Sequence, residues 1–245
     1  MNEVGHYSEE QLSELPQKRG FRQRGMEMTR LETFADAAFA FAVTLLVVGG
    51  GDSVPSSFAE LKHALLQVPA FAACFVNIML FWYAHHIWSR RFGLEDTRSV
   101  LLSLLLIFVV LIYVYPLKAT FSGAIAFFSG GYFESYFALQ TLDDLRTLFV
   151  VFGSGYVLLS AIIALLNRHA LVIAEQLGLN ALEVFDTHTE KNFWWINAAV
   201  AVVSIVLAVT LPDAVIFLAG VFYSVFGIIL PWYRIRREKR RLAIA

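Results

Sequence analysis

The feature that most constrains this chain is a series of apolar segments, each long enough to cross a lipid bilayer as a helix. A spanning helix needs about 20 mostly apolar residues, because the hydrocarbon core is roughly 30 Å thick. Six segments meet this requirement, at residues 30–49, 63–88, 99–119, 145–167, 193–211 and 213–233. We therefore predict an all-α membrane protein with six transmembrane helices.

Composition supports the membrane assignment and excludes several classes of protein. Hydrophobic residues make up 58% of the chain and charged residues only 16%, whereas about a quarter of the residues in a soluble domain are charged. Cys74 is the one cysteine, which supports neither a disulfide framework nor a metal cluster. Residues 1–29 are polar and lack the apolar core of a signal peptide, so the first apolar segment is predicted to be a retained helix.

Lysine and arginine residues set the predicted orientation, because they accumulate in cytoplasmic loops. They cluster before the first segment, between the second and third, and after the sixth, at 18–30, 90–98 and 234–241. An even number of spans with both termini in the cytoplasm places all three clusters on the same side.

The same distribution divides the chain into three predicted parts. A cytoplasmic N-terminal tail occupies residues 1–29, a six-helix transmembrane domain residues 30–233, and a basic cytoplasmic tail residues 234–245. The basic tail suits an anionic inner leaflet, although its role in setting topology is sufficient to explain it.

The first apolar segment carries an acid, Asp36, about a turn and a half inside the helix. At 100° per residue, one stripe of this helix combines bulky apolar residues with a hydroxyl. Its members are Phe34, Phe41, Thr44, Leu45 and Val48. Asp36 lies on a different stripe, so its partner must come from another segment.

The second segment supplies candidate partners for the acid. It ends with Trp82, His85 and His86, which an antiparallel arrangement brings to the depth of Asp36. A buried acid in a membrane is costly and is usually paired. We therefore predict a network of Arg30, Asp36, Trp82 and one of the two histidines; the alternative is that the histidines are interfacial anchors. Adjacent histidines diverge by about 100° and no third ligand is evident, so a metal site is not predicted.

These motifs resemble a known family. The start of the first segment resembles the signature Arg-x-x-x-Phe-Ser-Asp of the transmembrane protein 175 family of potassium channels, and stands here as Arg30, Phe34, Ala35 and Asp36. The family's Trp-x-x-His-His motif is matched at Trp82, His85 and His86, and Tyr115 with Pro116 fits the third helix loosely. The resemblance covers about residues 30 to 118 and adds Phe34 to the predicted network.

The resemblance implies a homotetrameric, potassium-selective channel whose pore is lined by the first helix, without a Thr-Val-Gly-Tyr-Gly filter loop. By position, Phe41 falls on the hydrophobic constriction, Thr44 on a polar layer linked to selectivity, and Val48 on a further apolar layer, with Leu45 on the same stripe. Potassium is then the permeant ion, and no cofactor, resident metal or nucleic acid is expected. Ala35 departs from the usual serine, and Phe41 is larger than the usual gate residue.

Two other functions remain as alternatives. The first is a proton-coupled secondary transporter that uses Asp36 and His85 or His86, because intramembrane acids and histidines often form proton relays. Against it, the sequence has no visible repeat or paired broken helices. The second is a membrane enzyme, which lacks a cluster of nucleophile, base and metal ligands. The single six-helix unit predicts a multi-pass protein of a bacterial inner membrane, with lipids and other copies of the chain as its partners.

Overall fold

The computed structural model describes residues 8–48 and 55–244, without the side chain of Val48. The expected place of Val48 in the outer part of the pore therefore lies outside the described residues. In the described ranges the chain is mostly helical, with one short hairpin near the N-terminus.

The elements follow one another along the chain as a helix, a hairpin and a series of helices. They are α1 (Glu9–Glu14), β1 (Gln17–Lys18), β2 (Phe21–Arg22), α2 (Arg30–Val48), α3 (Phe58–Leu66), α4 (Val68–Phe92), α5 (Thr97–Phe128), α6 (Leu142–Val172), α7 (Ala181–Thr210), α8 (Leu218–Val221) and α9 (Phe226–Arg241). Short 3-10 turns at Asp213–Val215 and Phe222–Val225 flank α8. The strands β1 and β2 are antiparallel, with Lys18 opposite Phe21.

Five helical stretches of the described chain are long and apolar enough to cross a membrane. They are α4, α5, α6, α7 and the stretch Asp213–Arg241, which contains α8 and α9. The helix α2 has 19 residues and is not among these five; it carries Arg30, Glu32 and Asp36 in its first two turns. The structure thus confirms a multi-span helical protein but not the count of six.

The structure corrects several predicted boundaries. The second apolar segment is two helices, because Pro69 stands in the first turn of α4 and α3 ends just before it, as suits a proline that has no amide hydrogen to donate. The helix α5 continues through Pro116 to Phe128, well beyond the predicted end of the third segment at residue 119. The last segment is not one regular helix. Its connection to α7 is short, with Pro212 directly before the first 3-10 turn.

The core lies where α6 packs against α5 and α7, while α2 packs on α4 and α5. Aromatic rings fill its centre: the Tyr113 and Phe152 ring centroids are 5.6 Å apart, and those of Phe81 and Tyr156 are 5.4 Å apart. Gly155 lets α6 approach α5 closely, because a Cβ at this position would collide with the Tyr113 ring. Small residues serve such close packing in membrane helices.

The segment between β2 and α2 crosses the end of α4 in direct backbone contact. The Gly25 amide donates to the Arg90 carbonyl over 3.1 Å. Gly93 ends α4 in the left-handed conformation, with φ of 58°. A Cβ on Gly93 would lie 3.0 Å from the Gly25 backbone, so both backbones need the absence of a side chain here.

This contact predicts that Gly93→Ala destabilises the protein more than Gly130→Ala does. Gly130 has a similar φ of 63°, but a Cβ there meets nothing within 4 Å. The control therefore carries only the left-handed penalty of about 1–2 kcal/mol, and the test variant adds a backbone clash. Thermal unfolding in detergent measures the difference; equal melting temperatures for the two variants would contradict the proposed contact.

Candidate functional site

Packing divides α2 into a buried face and an exposed face. The buried face consists of Ala35, Phe39, Ala42 and Leu46, each at most 2% exposed. On the other side of the helix, Phe34 and Phe41 are 55% and 56% exposed, and Thr44 is exposed as well. The positions 34, 41 and 44 follow the spacing of one helical face.

Leu45 differs from the rest of the predicted stripe. Its side chain is half-buried and packs against the core, whereas Val47 on a neighbouring position is 65% exposed. The exposed face is thus centred slightly away from Leu45. The Thr44 hydroxyl donates to the Ala40 carbonyl over 3.0 Å, so its proton is used within the helix and its oxygen remains free to accept.

Asp36 is held by the helix that the sequence indicated. The Trp82 Nε1 donates to Asp36 Oδ1 over 2.8 Å, which joins α2 to α4. Asp36 itself is half-buried on the side of α2 that faces α4. This bond supplies the partner that an acid at this depth requires.

The two histidines serve different neighbours, because adjacent side chains on a helix diverge by about 100°. His85 is buried and its Nε2 lies 3.0 Å from the Ser103 hydroxyl on α5. His86 stacks on the Trp82 ring, with centroids 5.3 Å apart. Neither histidine hydrogen-bonds to Asp36 in the described structure, so the expected direct pair is replaced by a contact through Trp82.

Two other residues of the predicted network lie apart from it. Arg30 is exposed at the start of α2 and forms no ion pair with any described residue. Phe34 points away from α4 on the exposed face. The six-residue offset between Arg30 and Asp36 explains their separation, since residues meet on a helix at offsets of three or four.

A buried carboxylate that sequence reasoning missed completes this end of α2. Glu32 is 3% exposed, and its Oε1 lies 3.6 Å from His86 Nδ1 and 3.4 Å from Arg90 Nε. The available signal was its position four residues before Asp36, which puts both acids on one face. Glu32 and Asp36 thus make two polar contacts with α4, about one helical turn apart on α2.

A second cluster that was not predicted from the sequence joins the N-terminal segment to the start of α7. Glu183, at the start of α7, accepts from Arg22 Nη2 over 2.5 Å and from Arg24 Nη2 over 3.0 Å. The side chains of Arg24 and Glu183 are fully buried. Arg24 also donates to the Leu177 carbonyl over 2.9 Å. No short-range pattern predicts pairs separated by about 160 residues in sequence.

Asp96 joins α5 to α6 outside the membrane-spanning helices. Its carboxylate accepts from the Ser99 hydroxyl over 2.6 Å and lies 2.9 Å from His169 Nε2. Partial burial favours the neutral acid, but the bonds from Ser99, His169 and the Arg98 amide outweigh it and lower the pKa of Asp96. The described residues contain no group of three or more His, Cys, Asp or Glu side chains that could hold a metal ion.

Comparisons with known proteins agree with this geometry. A potassium channel of Marivirga tractuosa is 33% identical over 233 residues, which cover 90% of this chain and 92% of the relative. The model of the family described as endosomal/lysosomal potassium channel TMEM175 matches residues 30–116. These residues contain α2, α4 and both predicted motifs.

Two solved structures share the fold. The potassium channel MtTMEM175, solved as a threonine-to-alanine variant with a nanobody fusion protein, superposes with a TM-score of 0.79 at 29% identity. The match covers 92% of this chain and all of that one. A lysosomal potassium-selective channel TMEM175 homolog from Chamaesiphon minutus gives a TM-score of 0.55 at 18% identity, over 85% and 96% of the two chains, and supports the fold alone.

These likenesses define the chain as a multi-pass membrane protein of the ion-channel class and not an enzyme. It belongs to the TMEM175 family of potassium channels. The resemblance drawn from Arg30, Phe34, Asp36 and the Trp-His-His motif is thereby confirmed.

The Trp82–Asp36 bond predicts that Trp82→Phe lowers stability. The substitution keeps an aromatic ring but leaves a half-buried carboxylate without its donor, at a cost of about 1–3 kcal/mol. Trp195→Phe is the matched control, because Trp195 is 43% exposed and its indole makes no hydrogen bond in the described chain. Thermal unfolding in detergent measures both variants, and an equal shift would show that the bond does not stabilise α2.

Proposed function

We propose that the protein is a potassium-selective cation channel in which four copies of α2 surround a common pore. The observation that carries this proposal is the unpartnered face of α2, with Phe34, Phe41 and Thr44 exposed on a helix whose opposite face is fully packed. Family membership supports it, because the relatives are described as potassium channels.

The proposal requires α2 to be the sixth span. Its 19 residues extend for about 28 Å at 1.5 Å per residue, close to the roughly 30 Å hydrocarbon core. Its acids lie near one end, where Glu32 and Asp36 contact α4. Six spans then place both basic termini in the cytoplasm of a bacterial cell, with the protein in the inner membrane.

In this arrangement Phe41 forms the narrowest layer of the pore. A ring of phenylalanine side chains excludes water, and such hydrophobic constrictions gate by dewetting. Thr44 stands about 4.5 Å further along the axis, with hydroxyl lone pairs that can face a dehydrating cation. Leu45 lies at the edge of this wall, half-buried against the core. Selectivity then arises from side chains, without a loop of backbone carbonyls.

The transporter alternative loses its proposed relay in this geometry. Asp36 accepts from the Trp82 indole, which is a donor only and neither takes up a proton nor ionises at ordinary pH. His85 faces Ser103 and not Asp36. The described contacts therefore suit an anchoring role for these residues, which is what a rigid pore helix requires.

Phe41→Ala is expected to raise potassium flux into liposomes several-fold, because it removes the apolar ring that dewets the constriction. Phe108→Ala is the matched control, since Phe108 is similarly exposed, at 61%, but lies on α5. Flux is followed with a potassium-sensitive dye against empty liposomes. Unchanged flux in Phe41→Ala would remove this residue from the gate, and absence of flux in the intact wild-type oligomer would refute the channel.

The assembly is expected to depend on the anchor at Asp36. In detergent, light scattering coupled to size exclusion should give a mass of four 27.5 kDa chains for the wild type. Asp36→Ala should shift the population toward smaller species, because α2 is no longer held at its fixed rotation on α4. A monomeric wild type would contradict the shared pore, whereas an intact tetramer in the variant would contradict only the role of Asp36.

A further inference from the structure

A long cleft runs beside the core and is separate from the exposed face of α2. It has a volume of about 1690 Å³ and is lined by α4, the end of α5, α6, α7 and the stretch 213–241. Pockets for small molecules usually measure about 300–1,000 Å³. The cleft opens sideways, because Leu80, Tyr83 and Phe217 along its edges are exposed. It therefore has the size and the entrance of a site that is filled from the bilayer.

The middle of the cleft is apolar and largely aromatic. Its walls include Phe81, Phe121, Phe149, Tyr156, Phe193 and Trp194. Along α4, the lining residues from Asn77 to Ile87 carry no charge. This stretch spans about 15 Å, which is half of a ~30 Å hydrocarbon core. Its length thus matches the acyl region of one leaflet.

One end of the cleft is strongly basic. Arg234 and Arg241 lie there, paired with Glu190 and Asp186 respectively. Arg91 and Arg237 lie at the same end, and neither is within ion-pair distance of a carboxylate in residues 8–48 and 55–244, although Glu190 and Asp186 are near enough to attract Arg91. Glu238 is the third acidic residue in the lining.

The two arginines without a direct ion pair are positioned by aromatic rings. Arg237 lies 3.9 Å from the Phe185 ring centroid and donates to the Thr189 hydroxyl over 2.8 Å. Arg91 lies 4.7 Å from the Phe21 ring centroid. Guanidinium groups held in this way retain donors for a phosphate, which arginine binds through paired hydrogen bonds.

We propose that this cleft binds an anionic phospholipid of the cytoplasmic leaflet. The headgroup phosphate lies at Arg91 and Arg237, and an acyl chain follows the aromatic wall toward Asn77. Charge complementarity favours this occupant over a second copy of the chain, which would have to bring acidic residues to the basic end. The lipid also fills the gap beside α9, a helix with no buried residue in the described structure.

The test is native mass spectrometry of the purified protein titrated with phosphatidylglycerol or phosphatidylcholine. The wild type should retain phosphatidylglycerol preferentially. The double variant Arg91→Gln with Arg237→Gln should bind phosphatidylglycerol at least roughly tenfold more weakly, since it removes charge-assisted hydrogen bonds to the headgroup phosphate that the control variant leaves in place. The matched control is Arg236→Gln with Arg240→Gln, which removes the same charge from α9 residues that do not line the cleft; it should bind like the wild type.

A second variant keeps the test decisive if the arginine variant fails to fold. Ala84→Trp fills the apolar part of the cleft and leaves both arginines in place, so it should lose phosphatidylglycerol while the oligomer mass is unchanged. Equal affinities for the two lipids, or equal losses in the cleft and control variants, would overturn the proposal. A smaller oligomer with unchanged lipid binding in Ala84→Trp would also overturn it and would assign the cleft to contact between subunits.

Discussion

The hydrogen bond from Trp82 to Asp36 fixes the rotation of α2 about its own axis, and the candidate site depends on that rotation. A carboxylate at this depth is costly without a donor, so α2 is held with this residue against α4. Phe41 is five positions further along and therefore lies about 140° away around the helix. The same bond that satisfies the acid thus turns Phe41 away from the packed interior.

The polar contacts at this end of the molecule act together and not singly. Glu32 lies between His86 and Arg90, while His85 reaches Ser103 on α5. The Glu32 contacts, like the Trp82–Asp36 bond, join α2 to α4, and the His85 contact joins α4 to α5. The C-terminal half of α2 has no comparable polar contact with another helix among the described residues; Phe39, Ala42 and Leu46 hold it by packing alone.

Much of this arrangement could be predicted from the sequence, because it follows from the helical repeat and from the position of each residue along its helix. The helical repeat places Phe41 and Asp36 on different faces of α2. Because the first two apolar segments were predicted to be antiparallel, Trp82 was expected at the level of Asp36, and it binds Asp36 in the structure. The partner of Glu183 could not be predicted in this way. It is formed by Arg22 and Arg24, whose contacts with it depend on the complete tertiary packing.

Other differences between the predicted segments and the observed helices arose from the local backbone. Hydropathy averages over a window and therefore does not register the break before Pro69, which separates α3 from α4. The same averaging conceals the 3-10 turns on either side of α8. The histidine pair was recognised as a motif, but the choice of neighbour for His85 depended on Ser103, a small residue with no distinctive pattern around it.

The separation between Arg24 and Glu183 has a consequence for biosynthesis. Their contact joins residues 159 positions apart, which a ribosome adding about 5–20 residues per second translates over roughly 8 to 30 s. During that interval α2 has already been synthesised, and the segment that leads into it has no carboxylate to bind at α7. The base of α2 is therefore among the last parts of the chain to become fixed, although it is among the first to leave the ribosome.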